Sequence, residues 1–517
     1  MKNKVKHTIA TTILFITAVL ITASIYIYSN YGDHIDEIIY YLFNDMKGTS
    51  DSIFINGIIV NLLPFSIIFL IVLLPVLPIR KLNRTVNIKL TKNKKFQFSI
   101  FPNNFFYKFR IIYATCVFVF STVFCFFFLG INDYIKRITN YSPFIETHYV
   151  DGKNIEITFP EKKRNLIILY LESTENTFMD KENGGGWEYN VTPELTQIAK
   201  ENINFSNSDK IGGAYNMAGA TWTIAALVST TAGIPLKIPI DDNSYTTSEN
   251  FLSGAYALGD ILRKEGYNLE LMVGSDADFG GRTNYFTKHG NYEIFDLYTA
   301  IEEGKMTEDD KVWWGFDDTH LFSWAKEEIL ELASQDQPFS FSFLTVNTHF
   351  PDGWLEEGAI ELYDTQYENV FAYSSKQVAE FVDWFKKQDF YEDTTLVITG
   401  DHLSMQEKSY YDHFLDEDYE RTIYNAFINA VPEPVNTKNR IFTNFDMFPT
   451  ILASIGVKIE GDRIGLGTNL FSERKTLAEE VGLDFMQAEL EKNSNYYNRY
   501  ILQDDYLDLI QQNKQEE

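Results

Sequence analysis

Asp401 and His402 close an apolar run, Thr394-Thr395-Leu396-Val397-Ile398, within the segment Thr399-Gly400-Asp401-His402-Leu403. A carboxylate and an imidazole at the end of a buried strand form a ligand pair for Zn²⁺, Mn²⁺ or Mg²⁺. Glu172 directly follows another apolar run, Asn165–Leu171. A carboxylate there is costly unless it is paired or holds a cation. Thr221 and Thr223, in Gly219-Ala220-Thr221-Trp222-Thr223-Ile224, stand at the start of an expected helix. A helix N-terminus favours an incoming phosphate and a developing alkoxide. Beside a metal, either hydroxyl becomes a nucleophile; without one, each is a simple N-cap.

Three further groups complete the candidate chemistry. His349, in Thr348-His349-Phe350-Pro351, is a candidate general acid or phosphate ligand. Arg282 follows the turn Phe279-Gly280-Gly281, where glycine lets the backbone approach a ligand and arginine binds phosphate bidentately. Trp314-Gly315-Phe316-Asp317-Asp318 joins aromatic and acidic groups, so Trp314 and Asp318 are candidate lining residues, with core packing as the alternative.

The elements that must position these groups alternate in type. Strands are expected at Asn165–Leu171, Leu269–Val273, Phe339–Val346, Thr395–Thr399 and Asn425–Ile428. Helices are expected at Pro193–Glu201, Thr223–Thr231, Leu258–Glu265, Phe322–Ser334, Ser374–Gln388 and Asp446–Ile455. That alternation implies an α/β domain, a mostly parallel sheet flanked by helices. In such sheets ligands bind beyond the carboxyl ends of the strands. Glu172, Gly274-Ser275-Asp276, Asn347-Thr348-His349 and Asp401-His402 all follow strands.

Ahead of this domain lie three apolar runs, about 8–28, 53–77 and 111–131, each meeting the roughly 20 residues a helix needs to span a bilayer. Lys2, Lys4 and Lys6 precede the first, and nine Lys or Arg with no acidic residue fill Arg80 to Arg110. The intervening loop is acidic, with Asp33, Asp36, Glu37, Asp45 and Asp51. The positive-inside rule then puts the N-terminus in the cytoplasm and everything after about Asn132 outside it. The expected domains are a membrane part (1–135), a linker (136–160), a catalytic domain (161–472) and a polar helical tail (473–517).

Net charge is −28; residues 1–131 carry 13 basic and 5 acidic side chains, which leaves −36 for the remainder. A surface that acidic excludes nucleic acid as a partner held by its overall field. The only cysteines, Cys116 and Cys125, lie in the third apolar run, so the outer domain is neither a disulfide scaffold nor a thiol enzyme.

Taken in order, Leu171-Glu172-Ser173, Thr221-Trp222-Thr223, Trp314-Gly315-Phe316, Thr348-His349-Phe350-Pro351-Asp352-Gly353 and Gly400-Asp401-His402 resemble the sulfatase-like membrane transferases of the alkaline phosphatase superfamily. Among these the chain looks most like the phosphoglycerol transferases that decorate periplasmic glucans, with lipoteichoic acid synthases as relatives. The resemblance covers about Asn165 to Phe471 and implies an alkaline-phosphatase-like catalytic domain behind three transmembrane helices. It implies a threonine that takes phosphoglycerol from phosphatidylglycerol, releasing diacylglycerol, and passes it to a hydroxyl of an envelope glycan. The metal, typically Mn²⁺ with Mg²⁺ or Zn²⁺ as alternatives, falls to Glu172, Asp401, His402 and the threonine. The interval to Ala232-Gly233-Ile234-Pro235 favours Thr223 over Thr221 as that threonine. His349 and Arg282 match positions that contact the phosphoglycerol group. The location implied is the bacterial cytoplasmic membrane.

Two departures shape the alternatives. The synthase branch has Trp two positions before its phosphate-binding Arg; here that position is Gly280. Phosphoethanolamine transferases carry disulfides in the outer domain, which has no cysteine here. A sulfatase or phosphodiesterase on the same fold is a further alternative, but the Cys/Ser-x-Pro-Ser-Arg segment that sulfatases modify is missing. An alternative of another class is a non-catalytic, membrane-anchored glycan- or lipid-binding protein.

Overall fold

The computed structural model describes residues 2–31, 39, 51–77, 85–91, 94–99, 105–237, 251–406 and 408–503. The acidic loop after the first apolar run, part of the basic loop after the second, and tail residues 504–517 lie outside the described residues. The chain divides into two compact units, residues 1–35 with 50–135, and residues 36–49 with 136–517.

The first unit is built on three helices, α1 (Lys2–Tyr31), α2 (Asp51–Leu73) and α3 (Arg110–Phe128). Three stretches are long and apolar enough to cross a membrane: Asn3–Ser29 in α1, Ile58–Val76 in α2 and the 3-10 turn Leu74–Val76 that follows it, and Arg110–Phe128, which is α3. Hydroxyls within them bond their own backbone, as Thr17 does to Ile13 and Thr122 to Phe118, which removes the cost of a lone polar group in hydrocarbon. The third helix stops three residues short of the expected Ile131 because Gly130 turns left-handed, φ 69°.

The second unit is organised on a six-stranded sheet. Its strands are β1 (Asn165–Leu171), β2 (Asn268–Val273), β3 (Glu293–Phe295), β4 (Phe339–Leu344), β5 (Thr394–Gly400) and β6 (Asn425–Ile428), in the spatial order β3-β2-β4-β1-β5-β6. All neighbours are parallel except β5 and β6. Side chains alternate between the two faces. Leu166, Ile168 and Tyr170 enter one core, and Ile167, Leu169 and Leu171 the other. Both faces are buried, which explains why β1 reads as a continuous apolar run.

Helices cover both faces. Residues of α4 (Pro193–Glu201), α8 (Asp318–Ala333) and α9 (Gln366–Phe385) pack in one core. Residues of α5 (Thr223–Ala232), α6 (Leu258–Lys264), α7 (Arg282–Lys288) and α10 (Asn444–Ser454) pack in the other. Truncating a core residue such as Ile168 to Ala costs about 2–5 kcal/mol, so the strand ends that carry the polar groups are firmly held.

Several elements differ from expectation. Strand β4 ends two residues before the expected Val346, whose N–H goes to Asp318 Oδ1 at 2.8 Å instead of to a neighbouring strand. The short edge strand β3 and helix α7 had no clear sequence signal. Residues 136–160, expected as a linker, contain buried Phe144 and Ile145 and a strand, Ile157–Thr158, paired with Lys458–Ile459. In the tail, Leu477, Met486, Leu490 and Tyr497 join the core, and Tyr497 donates to Pro235 O at 2.8 Å.

One buried charge here sets a pH response. Glu270 on β2 is 5% exposed, and burial, with Glu328, Glu293, Glu331 and Glu303 nearby, pushes its carboxyl up to about 8 from an ordinary 4.5. The folded state therefore holds a proton that the unfolded chain releases. Stability is lost as pH rises from the unfolded value through the folded one, and levels off above it. Glu270→Gln should unfold at a higher temperature than the parent above about pH 8, by a few kcal/mol, with the gap closing toward pH 4.5. Equal melting temperatures at pH 9 would count against this.

Candidate active site

Parallel pairing assembles the site. Leu171 of β1 lies opposite Gly400 of β5, so the next residues on each strand, Glu172 and Asp401, emerge side by side. On the other side Tyr170 is paired with Leu344 of β4, and Thr345 Oγ1 accepts from Glu172 N at 2.9 Å. Val273 of β2 is paired with Leu344, which brings Gly274 and Ser275 to the same edge.

Glu172, Asp401 and His402 each offer a ligand atom within 4.8 Å of the others, and all three are buried. Asp401 Oδ1 accepts from Ser173 N at 2.8 Å and His402 N at 2.7 Å. Its other oxygen, Oδ2, is buried with no hydrogen-bond partner among the described residues. His402 Nδ1 lies 2.8 Å from Leu403 O. A carbonyl only accepts, so the proton sits on Nδ1 and the Nε2 lone pair faces Glu172 Oε1 at 3.5 Å and Asp401 Oδ2 at 3.4 Å. Three electron-rich atoms facing one another in a dry pocket repel unless a cation sits among them. Two carboxylates and an imidazole are a donor set that fits Mn²⁺, Zn²⁺ or Mg²⁺.

The same crowding shows in the acidities. Burial works to raise Glu172, yet positive charge on His402 or His349 when either ring is protonated, with the bond from Ser173, holds it below its ordinary value. Burial and the neighbouring Glu172 push Asp401 up to about 8. Adjacent carboxylates cannot both ionise cheaply without a cation.

Thr223 is the first residue of α5, and its Oγ1 lies 3.3 Å from Glu172 Oε2. It lines one cavity with Glu172, Ser275, Arg282, Trp314 and His349. Thr221 is not among the residues lining that cavity; it sits ahead of Trp222, the helix N-cap.

Arg282 is the first residue of α7 and is buried. Gly280 and Gly281, at φ 68° and 78°, make the left-handed turn that delivers it. Its Nη2 donates to Ser275 Oγ at 2.9 Å and Asp276 O at 2.7 Å, so the guanidinium is fixed in place. His349 Nδ1 lies 2.6 Å from Phe350 O, which fixes the proton there and leaves Nε2 as an acceptor. Burial keeps this imidazole below its ordinary value despite Glu172 nearby. Its ring packs against Trp314, with centroids 5.2 Å apart. Trp314 Nε1 is buried without a partner among the described residues, a donor left for a ligand in the cavity it lines.

Asp318 is elsewhere. It is fully buried, and its two oxygens accept from Val346 N at 2.8 Å and Asn347 N at 3.2 Å. Burial, with Glu356 nearby, pushes it up to about 8. It caps the end of β4 and is not among the residues lining the cavity, where the acidic-aromatic cluster led us to expect it. Sequence reading also passed over Ser173, Thr345 and Thr348, hydroxyls that hold the Glu172 segment, as in Thr348 Oγ1 to Glu172 O at 2.5 Å. Their only signal is position directly after a strand.

The sulfatase family profile matches residues 164–457. Phosphoglycerol transferase I of Salmonella choleraesuis (strain SC-B67) is 30% identical over 326 residues, 61% of this chain and 40% of that protein. The counterpart from Salmonella typhi shows the same identity and coverage. The match thus spans less than half the length of these relatives. Among solved structures, the lipoteichoic acid synthase LtaP from Listeria monocytogenes aligns over 64% of this chain and 82% of its own, at 18% identity and TM-score 0.48. Lipooligosaccharide phosphoethanolamine transferase A (EptA) from Neisseria meningitidis aligns over 85% and 84%, at 12% identity and TM-score 0.45. With the profile covering more than half its length, including every strand of the sheet, this chain belongs to the sulfatase family.

Proposed function

We propose that this protein is a metal-dependent phosphoglycerol transferase that moves phosphoglycerol from phosphatidylglycerol to a hydroxyl of an envelope glycan. The observation that carries the reading is the Thr223 hydroxyl at the N-terminus of α5, 3.3 Å from a carboxylate of the Glu172–Asp401–His402 cluster. The 30% identity to proteins named phosphoglycerol transferase I supports the choice of group transferred. Glu172, Asp401, His402 and Thr223 would hold a divalent ion, most simply Mn²⁺ with Mg²⁺ or Zn²⁺ as alternatives, and its positive charge would lower the pKa of the hydroxyl and offset phosphate charge.

In the first half-reaction Thr223 Oγ attacks phosphorus, and the bond from phosphorus to the diacylglycerol oxygen breaks. Diacylglycerol leaves with a proton, and glycerophosphate remains on Thr223. Arg282, already oriented by Ser275, pairs with the phosphoryl oxygens, and Trp314 Nε1 donates to the headgroup. In the second half-reaction the acceptor hydroxyl attacks phosphorus, the bond from phosphorus to Thr223 Oγ breaks, and the proton that His349 Nε2 takes from the acceptor returns to Thr223 Oγ. Three helices able to span a bilayer keep the site on the same surface as its lipid donor and raise the effective concentration. The charge pattern of the loops supports a catalytic unit outside the cytoplasm, at the cytoplasmic membrane of a bacterium.

The test uses the full chain in detergent with Mn²⁺ and phosphatidylglycerol labelled in the headgroup, without acceptor. Label retained on protein together with released diacylglycerol is the expected result. Retention from phosphatidylethanolamine but not phosphatidylglycerol would move the donor assignment to the phosphoethanolamine branch. No covalent label from either lipid would sink the transferase reading.

A further inference from the structure

Behind the cluster lies a second buried charge, one that touches neither the cavity nor the three ligands. Glu175, three residues after Glu172, has a fully buried carboxylate. Its Oε1 accepts from Arg421 Nη2 at 2.5 Å, Ser404 N at 3.2 Å and Tyr411 OH at 3.2 Å. Its Oε2 accepts from Arg421 Nε at 2.7 Å and from the Thr177 hydroxyl. The same Arg421 Nη2 donates to Ser404 O at 2.7 Å, and the guanidinium lies 3.9 Å from the Tyr411 ring centre. Ser404 is two residues after His402. The Glu175–Arg421 pair therefore grips both backbone polar groups of Ser404 from the segment that carries Glu172.

The grip extends to the third strand end. Tyr367 OH donates to Thr348 O at 3.0 Å and lies 2.5 Å from Ser404 Oγ. Thr348 Oγ1 returns to Glu172 O, and the next residue is His349. One ion pair with a fully buried carboxylate and one tyrosine thus close a ring through the segments following β1, β4 and β5. The Glu175 carboxylate is fully buried while the Arg421 side chain is 25% exposed, and stability alone does not call for a carboxylate there, because apolar residues of similar volume commonly do as well or better.

We propose that Glu175 and Arg421 are positioning residues whose work is to fix the distance between the Glu172 and Asp401–His402 ligands. This rests on the metal-centre reading above. Outer partners of metal ligands typically govern affinity by 10–100-fold.

The test is Mn²⁺ titration calorimetry on the full chain in detergent, alongside thermal unfolding in EDTA. Arg421→Lys keeps a cation beside Glu175 but has a single ammonium where the guanidinium bridges Glu175 and Ser404. The double variant Glu175→Gln with Arg421→Met removes both charges together, so no unpaired charge is left buried. The expected result is Mn²⁺ affinity reduced about 10–100-fold in both, with the double variant unfolding in EDTA at or above the parental temperature. Parental affinity in the folded double variant overturns the positioning role. So does an affinity loss that merely tracks a lower unfolding temperature, since that is what a general structural role produces. A parent chain that binds no divalent metal overturns the metal-centre reading and this inference with it.

Discussion

Thr223→Ala should abolish covalent labelling from phosphatidylglycerol and cut transfer by on the order of 10⁴-fold or more. The expectation follows from geometry. Among the described residues lining the cavity, only Thr223 has its hydroxyl against the Glu172 carboxylate; the Thr345 hydroxyl is taken up by Glu172 N. Removing Oγ deletes the atom to which phosphorus becomes bonded, and no neighbouring side chain replaces it; Ser173, the nearest hydroxyl in sequence to Glu172, is tied to its Oε1 at 2.8 Å. The fold should survive, because Thr223 is half-buried and its helix keeps nine buried residues, Ile224 through Ala232. Peptide mass spectrometry of the labelled parent then locates the adduct. Glycerophosphate on Thr223, with Thr221→Ala still labelled, confirms the nucleophile. An adduct on Thr221 instead would keep the chemistry and contradict the position of that residue outside the cavity.

What was legible beforehand divides along physical lines. The candidate cluster was visible because a charged residue placed directly after an apolar run is expensive, as Glu172 and Asp401 are at neighbouring strand ends. Their adjacency was not visible, since it depends on the register that pairs Leu171 with Gly400. Asp318 and Glu172 look alike in the sequence: both are acids beside apolar residues. Only the fold shows that Asp318 spends its oxygens on two backbone N–H groups. Glu175 and Arg421 are separated by 246 positions and carry no local pattern, so their pairing exists only in three dimensions. The tail is expected as a polar packing or capping helix pair, but which of its residues pack, such as Leu490 and Tyr497, is hidden because they are spaced among charges.

Asp401→Asn is the second change with a very large expected effect, and it separates stability from activity. The amide keeps the shape and the Oδ1 that accepts from Ser173 N and His402 N. It removes one of the two adjacent negative charges and turns an N–H₂ toward the place where Oδ2 now faces His402 Nε2. In EDTA the variant should unfold at or above the parental temperature, because a crowded, partnerless carboxylate oxygen has been replaced by a neutral group. In saturating Mn²⁺ the order should reverse. At 100 times its dissociation constant a ligand adds about 2.7 kcal/mol to the state that binds it, a gain open to the parent and closed to the variant. Transfer should fall by on the order of 10³-fold or more, with no recovery on raising Mn²⁺, since the charge that prepares Thr223 is no longer held. Thermal unfolding with and without Mn²⁺, beside the labelling assay, decides it. A variant that is stabilised by Mn²⁺ as much as the parent would show that Asp401 is no ligand. A cluster that is costly when empty and stabilising when filled is what a binding site preorganised for a cation requires; a cluster kept only for packing has no reason to place two carboxylates beside an imidazole lone pair.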